Sequence, residues 1–363
     1  MTETKPVRPG EEIDAARLKT YLGGRFGMHD CDIIVEQFPG GSSNLTYLIR
    51  AGTVEYVLRR PPFGNTVRSA HDMKREFDVL SKLAAVYPPA PKPFLYSADE
   101  SVIGSEFYLM ERRKGLIIRG RVSSPHVSKG PANWSTTLDN YPTLSTEVCR
   151  SFIQNLADLH ALDYNSTGLD TLGKPLGYNR RQVEGWTKRY FAAKTDDWPE
   201  LEKAIIWLND NIPAESGAAL IHNDYKFDNI MLDPDDLTRI TAVLDWEMVT
   251  VGDPLMDLGT TLGYWMSADA GEEMLNMPFN PRELMESISR QDLVEMYGEA
   301  SGRDVSNILF YYVFGTFKIA VIAQQIYGRY IKGFTRDPRF ASFNEFVGTL
   351  GRTAAKVLES GTI

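Results

Sequence analysis

Three side chains in the second half of the sequence have the chemistry that phosphoryl transfer requires. Asp224, Asn229 and Asp245 lie in or beside two short apolar runs, NIML and ITAVLD, that are joined by a turn. The reaction needs one carboxylate that orients or deprotonates an attacking hydroxyl. It also needs a second carboxylate and an amide oxygen that hold Mg²⁺ against the phosphates. We therefore predict Asp224 as a catalytic residue and Asn229 and Asp245 as metal ligands.

The spacing within this segment supports the same chemistry. His222-Asn223-Asp224, four residues and then Asn229 resemble the protein-kinase loop H-x-D-x-x-x-x-N, which a metal-binding Asp follows after a hairpin. Lys226 is predicted as a second catalytic residue that offsets charge developing in the transition state. His222 is expected to brace the backbone rather than act as a base. The alternative is that the Asp and Asn side chains only cap turns.

The elements that would position these groups begin with a predicted sheet. CDIIVEQF, NLTYLIR and EYVLRR are rich in β-branched and aromatic residues and are separated by glycines, which predicts an antiparallel meander. A helix is predicted over 69–86, where Met73, Glu76, Leu80 and Leu83 recur at spacings of three and four. This periodicity places the Glu76 carboxylate on the inward edge of an apolar stripe. EFYLMER at 106–112 predicts a further strand.

These elements carry the predicted ATP-binding residues. Glycines between the first two strands would let backbone N–H groups approach a triphosphate. On the third strand, Arg59 occupies the position of the phosphate-pairing lysine of kinases and would be held by Glu76; either side chain could instead be a solvated surface charge. Backbone groups near the hinge would read the adenine edge. The predicted residues are Gly41, Ser42, Ser43, Asn44, Arg59, Glu76, Glu111 and Arg113.

The remainder of the sequence is mainly helical. Helices are predicted at about 145–162, 179–193, 199–211, 305–332 and 338–358 from their periodicities and breakers. The predicted fold class is α+β and bilobal, with a small antiparallel β-rich N-lobe that has one helix and a large, mainly helical C-lobe. We place the boundary near residue 114, which gives an ATP-binding lobe at 1–114 and a catalytic and substrate lobe at 115–363. Ligands usually bind in the cleft between lobes.

Composition excludes several other classes of protein. The 363 residues are 43% hydrophobic and 24% charged, and 39 Lys and Arg against 48 Asp and Glu give a net charge of −9. This balance lacks the basic excess typical of nucleic-acid or anionic-lipid binding. Cys31 and Cys149 are too few for a disulfide framework, which favours a reducing compartment. The N-terminal residues contain no apolar signal segment, and Lys318 interrupts the most apolar stretch, so we expect a cytoplasmic chain without a membrane span.

The motifs together resemble a known family. VLRRPP, REFDVL, FYLMER, LADLHALD, IHNDYKFDNIML and VLDWEMVTVGDPLMDLG lie between residues 57 and 259. They look like the aminoglycoside-phosphotransferase-like (choline/homoserine kinase-like) branch of the protein-kinase-like fold. The run FKIAVIAQQIYGRYIKG at 317–333 is similar to one subgroup, the kinase-like domain fused to acyl-CoA dehydrogenases in some eukaryotes and its stand-alone bacterial relatives.

The resemblance implies ATP- and Mg²⁺-dependent phosphorylation of a small-molecule hydroxyl. For the subgroup it implies a hydroxyacyl-CoA, notably a 4-hydroxyacyl chain, or a related hydroxy acid, and a functional link to an acyl-CoA dehydrogenase. The alternatives are an aminoglycoside O-phosphotransferase and a non-catalytic, nucleotide-binding pseudokinase. The pseudokinase alternative is motivated by Arg59 in place of lysine and by the sparse glycine loop.

An anionic substrate would need cations in the C-lobe. The candidate cations are Arg180, Arg181, Lys318, Arg329 and Arg339, each of which could instead be a snorkelling surface charge. Four aromatic residues of the long C-terminal helix could line an apolar slot, although at least half are expected to be core: Tyr311, Tyr312, Phe314 and Phe317. His160 and Asp257 are expected to be structural, with Asp257 bracing the segment around Asp224 or capping its own helix.

Overall fold

The N-lobe is built on a sheet. The computed structural model describes residues 4–27, 31–38, 44–62, 72–118, 142–265, 282–335 and 338–363. The sheet has 5 strands in the order β1-β2-β3-β5-β4, and all neighbours are antiparallel. The strands are β1 (Ile33–Gln37), β2 (Leu45–Ala51), β3 (Val54–Arg60), β4 (Pro93–Ser97) and β5 (Phe107–Glu111). The predicted meander is confirmed as β1-β2-β3.

Within the described residues, three helices accompany the sheet: α1 (Ala15–Phe26), α2 (Met73–Leu83) and α3 (Glu100–Ile103). Asp72 caps α2 by accepting a hydrogen bond from the Arg75 amide. The apolar stripe of α2 is buried as its periodicity predicts, and the buried set includes Glu76. The carboxylate therefore lies inside the N-lobe rather than in solvent.

The C-lobe contains eight described helices. They are α4 (Pro142–His160), α5 (Tyr178–Ala193), α6 (Pro199–Asp210), α7 (Pro254–Gly263), α8 (Arg282–Met285), α9 (Arg290–Ser301), α10 (Ile308–Ile331) and α11 (Phe343–Ser360). The predicted helices agree with α4, α5, α6, α10 and α11 to within a few residues. Residues 121–141 of the predicted loop lie outside the described residues.

Two short antiparallel ribbons interrupt the helices. β6 (Ala219–Ile221) pairs with β9 (Thr250–Gly252), and β7 (Ile230–Leu232) pairs with β8 (Ile240–Val243). The β7–β8 hairpin confirms the two predicted strands, whereas β4, α3, β6 and β9 were not predicted because such short elements leave little periodicity to read. The ribbons place the segments around residues 222–229 and 245–248 beside each other at one end of the C-lobe.

Helix α10 is the central core helix of the C-lobe. It is long and apolar enough to cross a membrane, but 83% of its apolar stretch is buried inside the protein, as in an ordinary core helix. The four aromatic residues expected to be core or slot, Tyr311, Tyr312, Phe314 and Phe317, are all buried. The helix contacts α7 through backbone, because a Cβ on Gly259 would lie 2.1 Å from Tyr311 O and one on Gly315 would lie 2.1 Å from Gly259 O.

The boundary near residue 114 remains a prediction. The chain leaves β5 at Glu111, and Leu116 then exchanges two backbone hydrogen bonds of 2.8 Å with Leu232 of β7. A Cβ on Gly115 would lie 2.8 Å from Leu232 O, so the connecting segment lies directly against the C-lobe hairpin.

Candidate active site

Asp224 lies at the centre of a hydrogen-bonded loop, residues 222–229. Lys226 Nζ is 2.9 Å from its carboxylate, and Asn229 Nδ2 donates to Asp224 Oδ2 at 2.9 Å. The Tyr264 hydroxyl, from the residue after α7, donates to Asp224 Oδ1 at 3.1 Å. The carboxylate is thus oriented from three sides while 17% of the side chain remains exposed.

Lys226 and Tyr264 also contact each other. The Lys226 ammonium lies 4.7 Å from the centre of the Tyr264 ring. Burial alone would lower the pKa of Lys226, but the adjacent Asp224 carboxylate outweighs it and raises the pKa above its usual range. Lys226 therefore stays a cation at neutral pH, next to the atom that would contact a hydroxyl.

The backbone before Asp224 is held by Asp257 of α7. Asn223 has a left-handed conformation with φ of 67°, which Asn adopts more readily than most residues. Asp257 Oδ2 accepts from the His222 amide at 2.6 Å, and Asp257 Oδ1 accepts from the Asn223 amide at 2.7 Å. The expectation that Asp257 braces this segment is thus confirmed.

The two histidines of the site are structural, as expected. His222 Nε2 lies 2.9 Å from Leu244 O, which ties the 222–229 loop to the hairpin. His160 is buried between the Tyr297 hydroxyl at 2.7 Å and Asp257 Oδ2 at 3.2 Å. Burial alone would raise the pKa of Asp257, but the hydrogen bond from His160 and the positive charges nearby hold it below its usual range.

The β7–β8 hairpin brings the two predicted metal ligands together. Asn229 precedes β7 and Asp245 follows β8 after one residue, and Leu244 N donates to Asn229 O across the ribbon at 2.8 Å. Asp245 has a φ of 68°, a strained conformation for a residue with a side chain. Since Asn229 uses Nδ2 to contact Asp224, its Oδ1 is the amide atom left for a cation.

Arg59 connects the N-lobe to Asp245. Its Nη1 is 2.9 Å from Glu76 Oε1, and its Nη2 is 2.9 Å from Asp245 Oδ1. Burial alone would lower the pKa of Arg59, but the carboxylates outweigh it and hold the pKa above its ordinary value. The same arginine holds the pKa of Asp245 below its usual range against the effect of burial. The predicted Arg59–Glu76 pair is present, and the surface-charge alternative for both residues is wrong.

Glu247 and Arg75 were not identified from the sequence. Glu247 Oε2 lies 3.8 Å from Arg59 Nη2 and accepts from Asn44 Nδ2 at 2.8 Å. Arg75 of α2 donates to Glu247 O at 2.9 Å and to Val249 O. The pattern Asp245-Trp246-Glu247 was the available signal, because an acidic residue two positions after Asp245 falls in the same turn. These contacts join both lobes around Asp245.

The remaining predicted residues lie at the edges of the site. Asn44 is buried and reaches the Asp245–Glu247 turn, whereas Gly41, Ser42 and Ser43 lie outside the described residues. Glu111 ends β5, and its side chain pairs with Arg113 Nε at 2.9 Å. The Arg113 carbonyl accepts from the Arg112 guanidinium. The adenine-reading role of this segment remains a prediction.

The candidate substrate cations are not gathered in the site. Lys318 of α10 is 2% exposed and lies beneath the 222–229 loop. It therefore does not line an open cleft, contrary to the expectation from the sequence. The Arg181 guanidinium bonds to the carbonyls of Leu176 and Lys174. Arg329 lies in the last turn of α10 and Arg339 in a turn before α11. Arg180 is exposed on α5.

The donor set at Asp245 fits Mg²⁺ rather than a transition metal. Within the described residues, no group of three or more His, Cys, Asp or Glu side chains could hold a metal ion by itself. Mg²⁺ is commonly held by one or two protein oxygens and completes its shell with phosphates and water. One carboxylate and one amide oxygen suit that mode of binding.

Comparison with known proteins identifies the family. Residues 34–280 match the model of the phosphotransferase enzyme family (APH). The chain belongs to this family. The matched residues begin in β1 and include the 222–229 loop and Asp245.

Individual relatives and solved structures are similar over most of the chain. The chain is 36% identical over 339 residues to acyl-CoA dehydrogenase family member 11 of Rattus norvegicus, which covers 91% of this chain and 41% of the relative. It thus spans about two fifths of the length of such relatives. A Ralstonia eutropha protein proposed to be an aminoglycoside phosphotransferase has a similar structure, with a TM-score of 0.76, 28% identity and coverage of 96% and 99%.

More distant solved structures show the fold alone. Aminoglycoside phosphotransferase APH(4)-Ia, in a ternary complex with AMP-PNP and hygromycin B, has a TM-score of 0.58 at 15% identity, with coverage of 94% of this chain and 98% of that chain. The kinase-like bilobal fold predicted from the sequence is confirmed.

Proposed function

We propose that this phosphotransferase transfers the γ-phosphoryl group of ATP to the hydroxyl of an anionic small molecule, a hydroxyacyl-CoA or a related hydroxy acid. The observation that carries the proposal is the arrangement around Asp224. A carboxylate that is oriented by Lys226, Asn229 and Tyr264 and partly exposed is suited to bind an acceptor hydroxyl. Catalysis of this kind relies on positioning and charge neutralisation.

Each side chain has a distinct part in the proposed reaction. Asp224 accepts a hydrogen bond from the acceptor hydroxyl and takes its proton as the hydroxyl oxygen bonds to the γ-phosphorus, while the bond from that phosphorus to the bridging oxygen breaks and ADP leaves. Lys226 offsets the negative charge that develops on the phosphoryl oxygens. Asn229 and Asp245 would hold Mg²⁺, which when bound neutralises phosphate charge. Arg59, fixed by Glu76, supplies positive charge on the N-lobe side.

An anionic acceptor is supported by Lys226, whose partly exposed ammonium lies 2.9 Å from the Asp224 carboxylate. A cation at this end of the site attracts an anionic group of the acceptor more than it does a cationic aminoglycoside. The names of the curated relatives, which refer to acyl-CoA dehydrogenases, support the acyl-CoA class and a functional link to such an enzyme.

One observation favours the non-catalytic alternative. Both Nη atoms of Arg59 already contact carboxylates, those of Glu76 and Asp245, whereas a kinase uses the equivalent cation on phosphates. A protein with this arrangement could bind a nucleotide without turning it over.

A screen of ADP release separates these functions. The purified chain is supplied with ATP, Mg²⁺ and a panel of 3- and 4-hydroxyacyl-CoAs, the free hydroxy acids and aminoglycosides, with Asp224→Asn as the matched control. We expect Mg²⁺-dependent ADP release with the hydroxyacyl compounds that Asp224→Asn reduces by about 10²–10⁴-fold. Turnover of aminoglycosides alone would contradict the substrate class. ATP binding without ADP release for any acceptor would favour the non-catalytic alternative.

A further inference from the structure

Lys318 is a buried cation that the proposed chemistry does not use. Between Ile308 and Tyr327 it is the single charged residue of α10, and it is 2% exposed. Within the described part of the chain it forms no ion pair; its ammonium contacts neutral oxygens instead. These are Asn223 O at 2.8 Å, Asn223 Oδ1 at 3.4 Å and Thr260 Oγ1 at 3.4 Å. Burying an ammonium in this way costs free energy that an apolar residue would not.

The contacts of Lys318 converge on the residue before Asp224. Asn223 is held in its left-handed conformation by three hydrogen bonds. Its amide donates to Asp257 Oδ1, its carbonyl accepts from Lys318, and its Nδ2 donates to Met248 O at 3.1 Å. The peptide group between Asn223 and Asp224 is therefore fixed through its carbonyl oxygen by the Lys318 ammonium. A rotation of this peptide would move the Asp224 carboxylate directly.

The crossing of α7 and α10 explains how Lys318 reaches this carbonyl. Gly259 and Gly315 allow the two backbones to touch, so a side chain one turn after Gly315 passes beneath α7 to the loop. Thr260, which follows Gly259, contributes the third oxygen. The close contact between the two helices therefore determines where the buried Lys318 amine lies.

We infer that Lys318 is a positioning residue that fixes the Asn223–Asp224 peptide and thereby aims the Asp224 carboxylate at the acceptor hydroxyl. The inference rests on the proposed role of Asp224. A misplacement of about 1 Å in a catalytic group can cost about 10²-fold in rate, so loss of the ammonium should reduce kcat more than it affects ATP binding.

Titration of Lys318 gives an additional readout. Burial, together with Lys226 and Arg189, lowers the pKa of Lys318 to about 8, against the opposing effect of Asp257 and Asp224. The charged groups that face it are Asp257 of α7, Asp224 and Lys226 of the 222–229 loop, and Arg189 of α5. The ammonium is therefore lost as the pH rises through about 8. The unfolded chain still holds this proton up to its ordinary pKa of 10.5, so the contribution of Lys318 to stability rises with pH over the interval in which activity falls.

The test compares Lys318→Met with Gln324→Met. Gln324 is a buried polar residue of the same helix, and its side-chain atoms have no hydrogen-bond partner among the described residues. We expect Lys318→Met to lower kcat by about 10–100-fold while the KM for ATP stays within about twofold. Gln324→Met should leave both unchanged. Lys318→Arg, which keeps a permanent cation, should retain part of the activity and lose the decline above pH 8.

A second measurement is independent of any substrate. Hydrogen–deuterium exchange of peptides covering 219–226 should be faster in Lys318→Met than in wild type and unchanged in Gln324→Met. The comparison is made under conditions in which the three proteins have equal thermal stability. Normal exchange and normal kcat in Lys318→Met would overturn the inference. Faster exchange in a protein that shows no activity with any acceptor would support the positioning role and instead contradict the proposed function. Should Lys318→Met fail to fold, Lys318→Gln, which keeps a donor, replaces it with the same readouts.

Discussion

The contacts in the two halves of the site differ in burial and in the sequence separation of the residues that they join. On the N-lobe side, Arg59 contacts the carboxylates of Glu76, Asp245 and Glu247, which come from two segments far apart in the sequence, and its side chain is 9% exposed. On the C-lobe side, Asp224 is oriented by an ion pair with Lys226 and by hydrogen bonds from Asn229 and Tyr264, and the first two of these residues lie within five positions in the sequence. The N-lobe half is a buried ion network between segments far apart in the sequence. The C-lobe half is a local loop whose backbone is held by Asp257 and Lys318.

This difference predicts whether a substitution in each half lowers mainly the stability of the protein or mainly its rate of turnover. Removing one member of a buried ion network leaves uncompensated charge, which costs stability. Removing one hydrogen bond from a partly exposed carboxylate changes its orientation and should affect rate more than stability. Asp245 belongs to the network through Arg59 and to the loop through the hairpin, so it tests both halves together.

Asp245→Asn should have the largest effect of the substitutions that compare the two halves. The amide keeps the shape of the side chain but loses the charge that would hold Mg²⁺, and metal stabilisation of phosphoryl transfer is worth several kcal/mol, or about 10³-fold in rate. We expect this loss in ADP release, together with loss of any thermal shift caused by Mg²⁺ with ATP. The Arg59–Glu76 pair should keep the variant folded. An Asp245→Asn variant with a normal Mg²⁺ response would contradict the metal assignment.

Arg59→Met should have the largest effect on stability. It leaves Glu76, which is 1% exposed, beside Asp245 without a cation, and breaking a buried pair in this way costs about 3–5 kcal/mol in the free energy of unfolding. Adding Glu76→Leu to this variant should restore part of the loss. Chemical denaturation measures both changes.

The control for Arg59→Met is Arg50→Met. Arg50 of β2 also pairs with two carboxylates, Glu36 at 2.7 Å and Glu55 at 3.1 Å, but its side chain is 36% exposed. Its loss should cost no more than about 1 kcal/mol in the free energy of unfolding.

The stability of Arg59→Met should also depend on pH. Burial already raises the pKa of Glu76, so its charge in Arg59→Met should be removed as the pH is lowered, and the loss of stability relative to wild type should become smaller. A deficit that widens toward acid pH would show that the network is not the cause.

Tyr264→Phe should have the smallest effect. It removes only the hydroxyl that donates to Asp224 Oδ1, and a hydrogen bond to a charged group is worth about 1.5–3 kcal/mol, or a decrease of about 10–150-fold in kcat. The control is Tyr47→Phe. The Tyr47 hydroxyl donates to Glu11 O in the N-lobe, so its removal should lower stability without changing kcat. If both variants turn over at the wild-type rate, Lys226 and Asn229 alone suffice to orient the carboxylate.

The sequence could predict the parts of the site that are local in the chain. The interval from Asp224 to Asn229 and the hairpin that follows place three functional groups together wherever this segment folds. The helical periodicity of 73–83 turns Glu76 inward in the same way, and the alternation along β3 sends Arg59 to that face while Arg60 donates to Ile103 O at 2.8 Å. In each case the backbone geometry of one element, or of two adjacent elements, decides where the functional side chain lies.

Only the tertiary structure decided which distant residues complete the site. Tyr264 and Arg75 are common residue types at no distinctive spacing. The contact of Tyr264 with Asp224 and that of Arg75 with the Glu247 carbonyl depend on how the segments pack. Lys318 shows this most clearly, since its sequence context fits a surface cation for substrate. Its actual position follows from the backbone contact of Gly259 with the turn before Gly315, which brings the amine under Asn223. Helix crossings are set by packing across the whole lobe, and a pattern within one helix does not contain that information.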